Sequence, residues 1–248
     1  MRPLLLLPLL LTLPVAHAGE ARVAVAANFT AAADAIERAF EAGGDHRITV
    51  STGSTGGLYA QIRHGAPFHA FLAADARRPR LLAKQGTAVA ASRFTYARGR
   101  IALWSPHPDL VNGPESLRDR RIRHLAMANP RTAPYGLAAE QTLQSLGLWQ
   151  DLKGRLVRGE NIAQAHQFVA SGNAEAGFVA LSQISGPNRP EQGSRWLVPA
   201  RHHAPIRQQA VLLQRGAANP AARAFLAFLR SGQAAEIMRD YGYATDGD

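Results

Sequence analysis

The chain has 248 residues, a formal charge of +10 and no cysteine, which excludes disulfides, thiolate metal sites and cysteine nucleophiles. That length supports a substantial core, in one large domain or two smaller lobes. The basic balance does not mark a nucleic-acid binder, because arginine is scattered: the short runs Arg77-Arg78 with Arg80, and Arg118 with Arg120, Arg121 and Arg123, read as solvated helix ends or turns rather than one basic face. A positive field still raises the rate of encounter with anions.

At the N-terminus, Arg2 precedes the apolar run 4–13 and the small-residue sequence Ala16-His17-Ala18, the pattern of a secretory signal peptide cut after Ala18. A spanning helix needs roughly 20 apolar residues, and Pro3, Pro8 and Pro14 interrupt a stretch already too short. No later segment sustains such a run, so the expected mature protein begins after residue 18 and works, soluble, in a periplasm-like space.

From Ala21 short apolar strands alternate with amphipathic helices, as in an α/β fold with largely parallel sheet. Val23 and Val25 belong to a first strand; Phe29, Ala32 or Ala33, Ile36 and Phe40 follow at helical spacing, and Gly43-Gly44 ends the helix. A second strand covers 48–51, then Ser54-Thr55-Gly56-Gly57 leads into a helical stripe through Leu58 and Ile62 that stops at Gly65-Ala66-Pro67. Further strands are predicted at 100–105, 124–128, 175–180 and 206–213, with helices at 136–146 and 162–171. The turn-rich stretch 185–194 reads as a surface loop. Near the C-terminus Asn219-Pro220 and Ser231 start two helices, and Gly242 closes the second.

In open α/β sheets ligands sit beyond the carboxyl ends of strands, where the next helix begins with free N–H groups. Three loops have suitable composition: Ala27-Asn28, Gly53-Ser54-Thr55-Gly56, and Asn129-Pro130 through Ala133-Pro134-Tyr135-Gly136. Together they offer hydroxyls, amides and uncovered N–H groups, a donor set able to hold a dianion without a countercharge. Taken singly, Asn28 or Ser54 is an ordinary helix cap and Tyr135 a packing residue.

Several segments match a known family in order and nearly over the full length. These are "VAVAANF", "STGSTGGLYAQIRHGAPF", "SRFTYARGRIALWS", "ANPRTAPYGLAAEQTL", "ENIAQAHQFVASGNAEAGFVALSQI", "PIRQQAVLL" and the terminal "GYA". The chain thereby resembles the periplasmic molybdate-binding proteins of ABC uptake systems, the ModA family. The resemblance implies a two-lobed type II periplasmic-binding fold, each lobe a mostly parallel sheet flanked by helices. Lobe I would be 19–97 plus 208–248 and lobe II 98–207, with crossings near Tyr96-Ala97-Arg98 and from Pro205 to Gln209. It implies a molybdate or tungstate ligand in the interlobe cleft, held by Ala27, Asn28, Thr55, Tyr135 and Ile162. It also implies delivery to a membrane permease by a monomer with no cofactor and no direct metal-cation ligands. Ala27 stands where the family usually has a hydroxyl, so its contact is reduced to a backbone N–H. Thr55 stands where many relatives carry serine, and His69 where an acidic or amide residue is common.

Other functions find less support in the residues. His64 and His69 are five apart, no His-Glu-x-x-His occurs, and the Gly-Ser-Thr-Gly-Gly segment is neither a Walker A loop nor a nucleophile elbow. A secreted hydrolase therefore ranks below a binder of another tetrahedral oxyanion such as sulfate or phosphate. His202-His203, with no carboxylate nearby in sequence, reads as a surface or hinge feature. Tyr241 and Tyr243, at the end of the last helix, read as packing residues rather than the tyrosine pair of an iron carrier.

Overall fold

The computed structural model describes residues 19–187 and 192–245. The predicted signal segment and part of the 185–194 loop lie outside them. Among the described residues no helix is long and apolar enough to cross a membrane.

Two five-stranded sheets organise the chain. The first is built from β1 (Glu20–Ala26), β2 (Arg47–Gly53), β3 (Ala70–Ala73), β4 (Phe94–Gly99) and, from far along the chain, β10 (Ile206–Leu212), in the order β2-β1-β3-β10-β4. The second holds β5 (Ile101–Ser105), β6 (Leu125–Ala128), β7 (Leu156–Gly159), β8 (Ala176–Ala180) and β9 (Ser194–Leu197), in the order β7-β6-β8-β5-β9. Each has a parallel part, β2-β1-β3 and β7-β6-β8, and an antiparallel part made by strands at the crossings. Arg98 of β4 pairs with Arg207 of β10 within the first sheet, and Arg100 alone separates β4 from β5. The chain thus changes sheets at Arg100 and returns just before Ile206.

The helices follow the strand-to-helix rhythm of the sequence. They are α1 (Thr30–Ala42), α2 (Thr55–Arg63), α3 (Arg77–Lys84), α4 (Pro134–Ser145), α5 (Trp149–Leu152), α6 (Ile162–Ala170), α7 (Leu181–Ile184), α8 (Pro220–Phe228) and α9 (Gly232–Asp240). A 3-10 turn at Ala27–Phe29 leads into α1, whose buried stripe is Ala32, Ala33 and Ile36. The caps read from sequence form: Asn219 accepts from Ala222 N–H at 2.9 Å, Ser231 accepts from Ala234 N–H at 3.2 Å, and Gly242 takes φ +79°.

Strand alternation sends side chains to both faces of each sheet. In the first, Val23, Val25, Ile36 and Phe225 form one cluster while Ala24, Leu58, Phe71 and Val211 form the opposite one. In the second, Leu103, Met127, Leu143 and Phe178 face one way and Trp104, Ala126 and Val179 the other. All three tryptophans, Trp104, Trp149 and Trp196, belong to the second lobe.

The C-terminal tail is tied back to the first lobe. Arg98 and Ala244 exchange backbone hydrogen bonds of 2.8 and 3.1 Å, covering the free edge of β4 and carrying Tyr243 into the interior. Four strands were not foreseen from sequence, β3, β4, β7 and β9. Three of them, β3, β7 and β9, are four-residue runs too brief to show a period.

Candidate functional site

A cavity lies between the lobes, lined by Ala26, Ala27, Asn28, Gly53, Ser54, Thr55, Ala74, Ala133, Pro134, Tyr135, Asn161 and Ile162. All five residues singled out in the sequence, Ala27, Asn28, Thr55, Tyr135 and Ile162, line it, and all are buried. Its lining holds no charged side chain.

Local sequence explains the convergence. Each lining segment follows the carboxyl end of a parallel strand and opens a helix: Ala27 after β1, Thr55 after β2, Tyr135 after β6 and Ile162 after β7. The first N–H groups of a helix have no partner within it, and the aligned peptide dipoles place partial positive charge there. Side chains secure the starts without covering them. Ser54 accepts from Gly57 N–H at 3.1 Å, Asn161 accepts from Gln164 N–H at 3.0 Å, and Pro134 supplies a first helical residue with no N–H.

The polar side chains have defined hydrogen-bond roles. Thr55 Oγ1 accepts from Ala74 N–H at 3.2 Å, leaving its own proton free to donate. Tyr135 Oη accepts from Gln208 Nε2 at 3.4 Å, which leaves the phenol proton for another acceptor. Burial pushes the Tyr135 pKa well above the usual tyrosine value, so the phenol stays protonated. Asn28 behaves otherwise: its Nδ2 donates to Gln208 Oε1 at 2.8 Å and to Tyr243 Oη at 3.1 Å, so its side-chain amide protons are already engaged. At Ile162 the carbonyl accepts from Gln183 Nε2 at 3.1 Å, fixing the peptide at the start of α6.

Behind the cavity lies a buried polar cluster that the sequence reading did not assign: Tyr96, Ser182, Gln208 and Tyr243 around Asn28. Tyr243, read as packing, does pack edge-on against Phe29, but its hydroxyl joins this network. A signal existed for Gln208, because alternation in "IRQQA" sets it on the same face as Ile206 and Ala210.

Two hydrogen bonds to backbone carbonyls join the lobes beside the cavity. Gly56 N–H donates to the Thr132 carbonyl at 2.8 Å, and Arg78 Nη2 donates to the Arg131 carbonyl at 3.1 Å. Arg78, taken from sequence for a solvated helix end, is instead largely buried, ion-paired to Asp75 and aimed at the opposite lobe. The histidines lie elsewhere. His69 Nδ1 accepts from Arg22 N–H at 2.9 Å, and His202 Nδ1 meets Ser145 Oγ at 2.8 Å. Among the described residues no three histidine or carboxylate side chains gather as metal ligands would.

Residues 21–244 match the family described as bacterial extracellular solute-binding protein. The chain is 51% identical to the molybdate-binding protein ModA of Azotobacter vinelandii, over 92% of this chain and 91% of that one. It is 47% identical to the ModA of Rhodobacter capsulatus, over 95% and 92% respectively. The solved structure of the Azotobacter vinelandii periplasmic molybdate-binding protein superposes with a TM-score of 0.88 at 40% identity, covering 90% of this chain and 98% of that one.

Proposed function

Because the chain belongs to the ModA family of bacterial extracellular solute-binding proteins, we propose that it captures molybdate or tungstate between its lobes and hands it to the permease of an ABC transporter. The observation that carries this reading is the meeting of four helix starts at one cavity whose lining has donors but no charged side chain. Such a set favours a fully deprotonated dianion. The donors would be the N–H groups of Ala27, Asn28 and Ile162 with the hydroxyls of Thr55 and Tyr135.

Discrimination follows from chemistry and size. Hydrogenphosphate carries a proton that needs an acceptor, which a donor-only cavity lacks. Sulfate has shorter bonds, so several contacts stretch together at about 1 kcal/mol or more apiece. Hinging at Arg100 and before Ile206 would bring Tyr135 and Ile162 onto an anion first met by lobe I, and the closed face is what the permease would read. In this reading the protein is a periplasmic monomer released from residues 1–18, uses no cofactor, and returns its ligand chemically unchanged.

Calorimetric titration with molybdate, tungstate, sulfate and phosphate tests it. Tight binding of the first two is expected; silence toward molybdate, or an equal response to sulfate, overturns the proposal. Tyr135→Phe is expected to weaken molybdate binding by about 1.5–2 kcal/mol, roughly ten- to thirtyfold, as for one hydrogen bond to a charged group. Circular dichroism should show the fold kept; unchanged affinity removes Tyr135 from the site.

Binding should also be flat in pH from about 7 to 9, since the Tyr135 phenol is held protonated by burial and no histidine lines the cavity. A fall in affinity across that range would mean that a titrating group outside the lining controls the site.

A further inference from the structure

Four short contacts join Tyr243, Ser182 and Asn28. Tyr243 Oη lies 2.7 Å from the Asn28 carbonyl oxygen, 2.9 Å from Ser182 Oγ and 3.1 Å from Asn28 Nδ2, and Ser182 Oγ lies 2.8 Å from that same carbonyl. The two hydroxyls hold two protons, enough for two of the contacts. A third is made only if Asn28 turns its NH2 toward Tyr243. The reverse orientation would crowd oxygen against oxygen and satisfy one contact fewer.

That choice propagates. With its NH2 on this side, Asn28 also donates to Gln208, 2.8 Å away, so Gln208 must present its oxygen there. The Tyr96 hydroxyl donates to the same oxygen at 3.0 Å. Gln208 Nε2 is thereby turned to Tyr135, whose oxygen accepts and whose proton is directed elsewhere. Gln208 is 0% exposed and comes from β10, whereas Tyr135 opens α4 in the other lobe. Among the described residues every buried side-chain nitrogen and oxygen has a partner; the orientation of Gln208 rests on Asn28, since the Tyr96 hydroxyl has a second acceptor in the Ala73 carbonyl 3.3 Å away.

We propose that Gln208 is a specificity-determining, positioning residue: it holds the Tyr135 hydroxyl as a donor toward the cavity and so bars anions that carry a proton. This rests on the oxyanion reading above. It acts through Tyr135, without touching the ligand.

Gln208→Glu keeps the shape and reverses the polarity. An ionised carboxylate there accepts from Asn28, Tyr96 and Tyr135 together, so the Tyr135 proton turns inward and its lone pair faces the cavity. The titratable groups around this position are Tyr96 of β4, Tyr135 of α4 and Tyr243, which interacts with both Asn28 and Gln208; burial keeps all three phenols protonated. The carboxylate of Asp75 acts on the cluster at Tyr96. At about pH 8 the variant should bind molybdate roughly fiftyfold more weakly, with hydrogenphosphate losing far less. As pH falls the introduced carboxyl takes up a proton, regains a donor, and molybdate binding recovers.

Calorimetry with sodium molybdate and sodium hydrogenphosphate across pH, in the wild-type and Tyr135→Phe backgrounds, tests this. In the Tyr135→Phe background Gln208→Glu should add almost nothing, because the group through which it acts is gone. Equal losses in both backgrounds, an unchanged ratio of molybdate to phosphate affinity, or a pH-independent loss would overturn the proposal. If the glutamate variant fails to fold, Gln208→Met is read in the same cycle with the same two outcomes for background dependence. Failure of the wild-type protein to bind molybdate would instead sink the oxyanion reading itself.

Discussion

Gly99→Ala should weaken molybdate binding more than a hundredfold while leaving both sheets intact. Gly99 ends β4, and a Cβ there would run into the Tyr135 hydroxyl, with Tyr135 Cζ at 2.9 Å and Gln208 Nε2 at 3.0 Å. A rigid phenol ring cannot fold away as a flexible side chain could, so the hydroxyl must move off its position. Forced overpacking costs about 1–3 kcal/mol, and the lost donor adds about 1.5–3 kcal/mol. Titration with molybdate measures the effect, and circular dichroism separates it from unfolding. Wild-type affinity in a folded Gly99→Ala protein would mean that Tyr135 does not need the place it occupies.

Gly56→Ala should cost about 3 kcal/mol, roughly a hundredfold in affinity, by a different route: its methyl group stands between the lobes. The added Cβ would meet Thr132 Cα at 2.9 Å, with the Thr132 carbonyl oxygen and Arg78 Nη2 each at 3.0 Å. Thr132 is backbone of a tight turn, held where Ala133 N–H donates to the Asn129 carbonyl at 2.9 Å, so it cannot yield cheaply. The 2.8 Å bond from Gly56 to Thr132 would be lost with it. Parted lobes feel no clash, so the thermal midpoint without ligand should stay put while the increase on adding molybdate shrinks. Small-angle scattering should show the variant failing to contract with ligand. A ligand-induced rise equal to wild type would show that closure does not bring Gly56 against Thr132.

What could be read from the sequence divides along a physical line. Strand-to-helix loops are local: Val25, Asn28 and Phe29 fall within the single run "VAVAANF", so the placement of a polar residue at a helix start is visible without knowing the fold. The same holds for Ser54-Thr55 and Pro134-Tyr135. Three of the four strands absent from that reading are four-residue runs, too brief to display a period; β3 lies in the sheet because β1 and β10 flank it, a tertiary fact. The cluster behind the cavity was hidden for a related reason. Ser182, Gln208 and Tyr243 meet Asn28, and Tyr96 meets Gln208, only because two strands cross between lobes and the tail is bridged to β4. Family resemblance supplied Ala27, Asn28, Thr55, Tyr135 and Ile162, and the hydrogen bonds then showed the Asn28 side-chain amide engaged by Gln208 and Tyr243.

The placement of Trp104, Trp149 and Trp196 in a single lobe makes tryptophan emission a spectroscopic label for half of the molecule. Denaturant melts followed by emission would report the second lobe, while far-ultraviolet circular dichroism averages both. Coincident curves would mean that the crossings and the Tyr96–Gln208–Tyr135 contacts weld the lobes into one cooperative unit; displaced midpoints would resolve two folding units of unequal stability, with molybdate expected to draw them together.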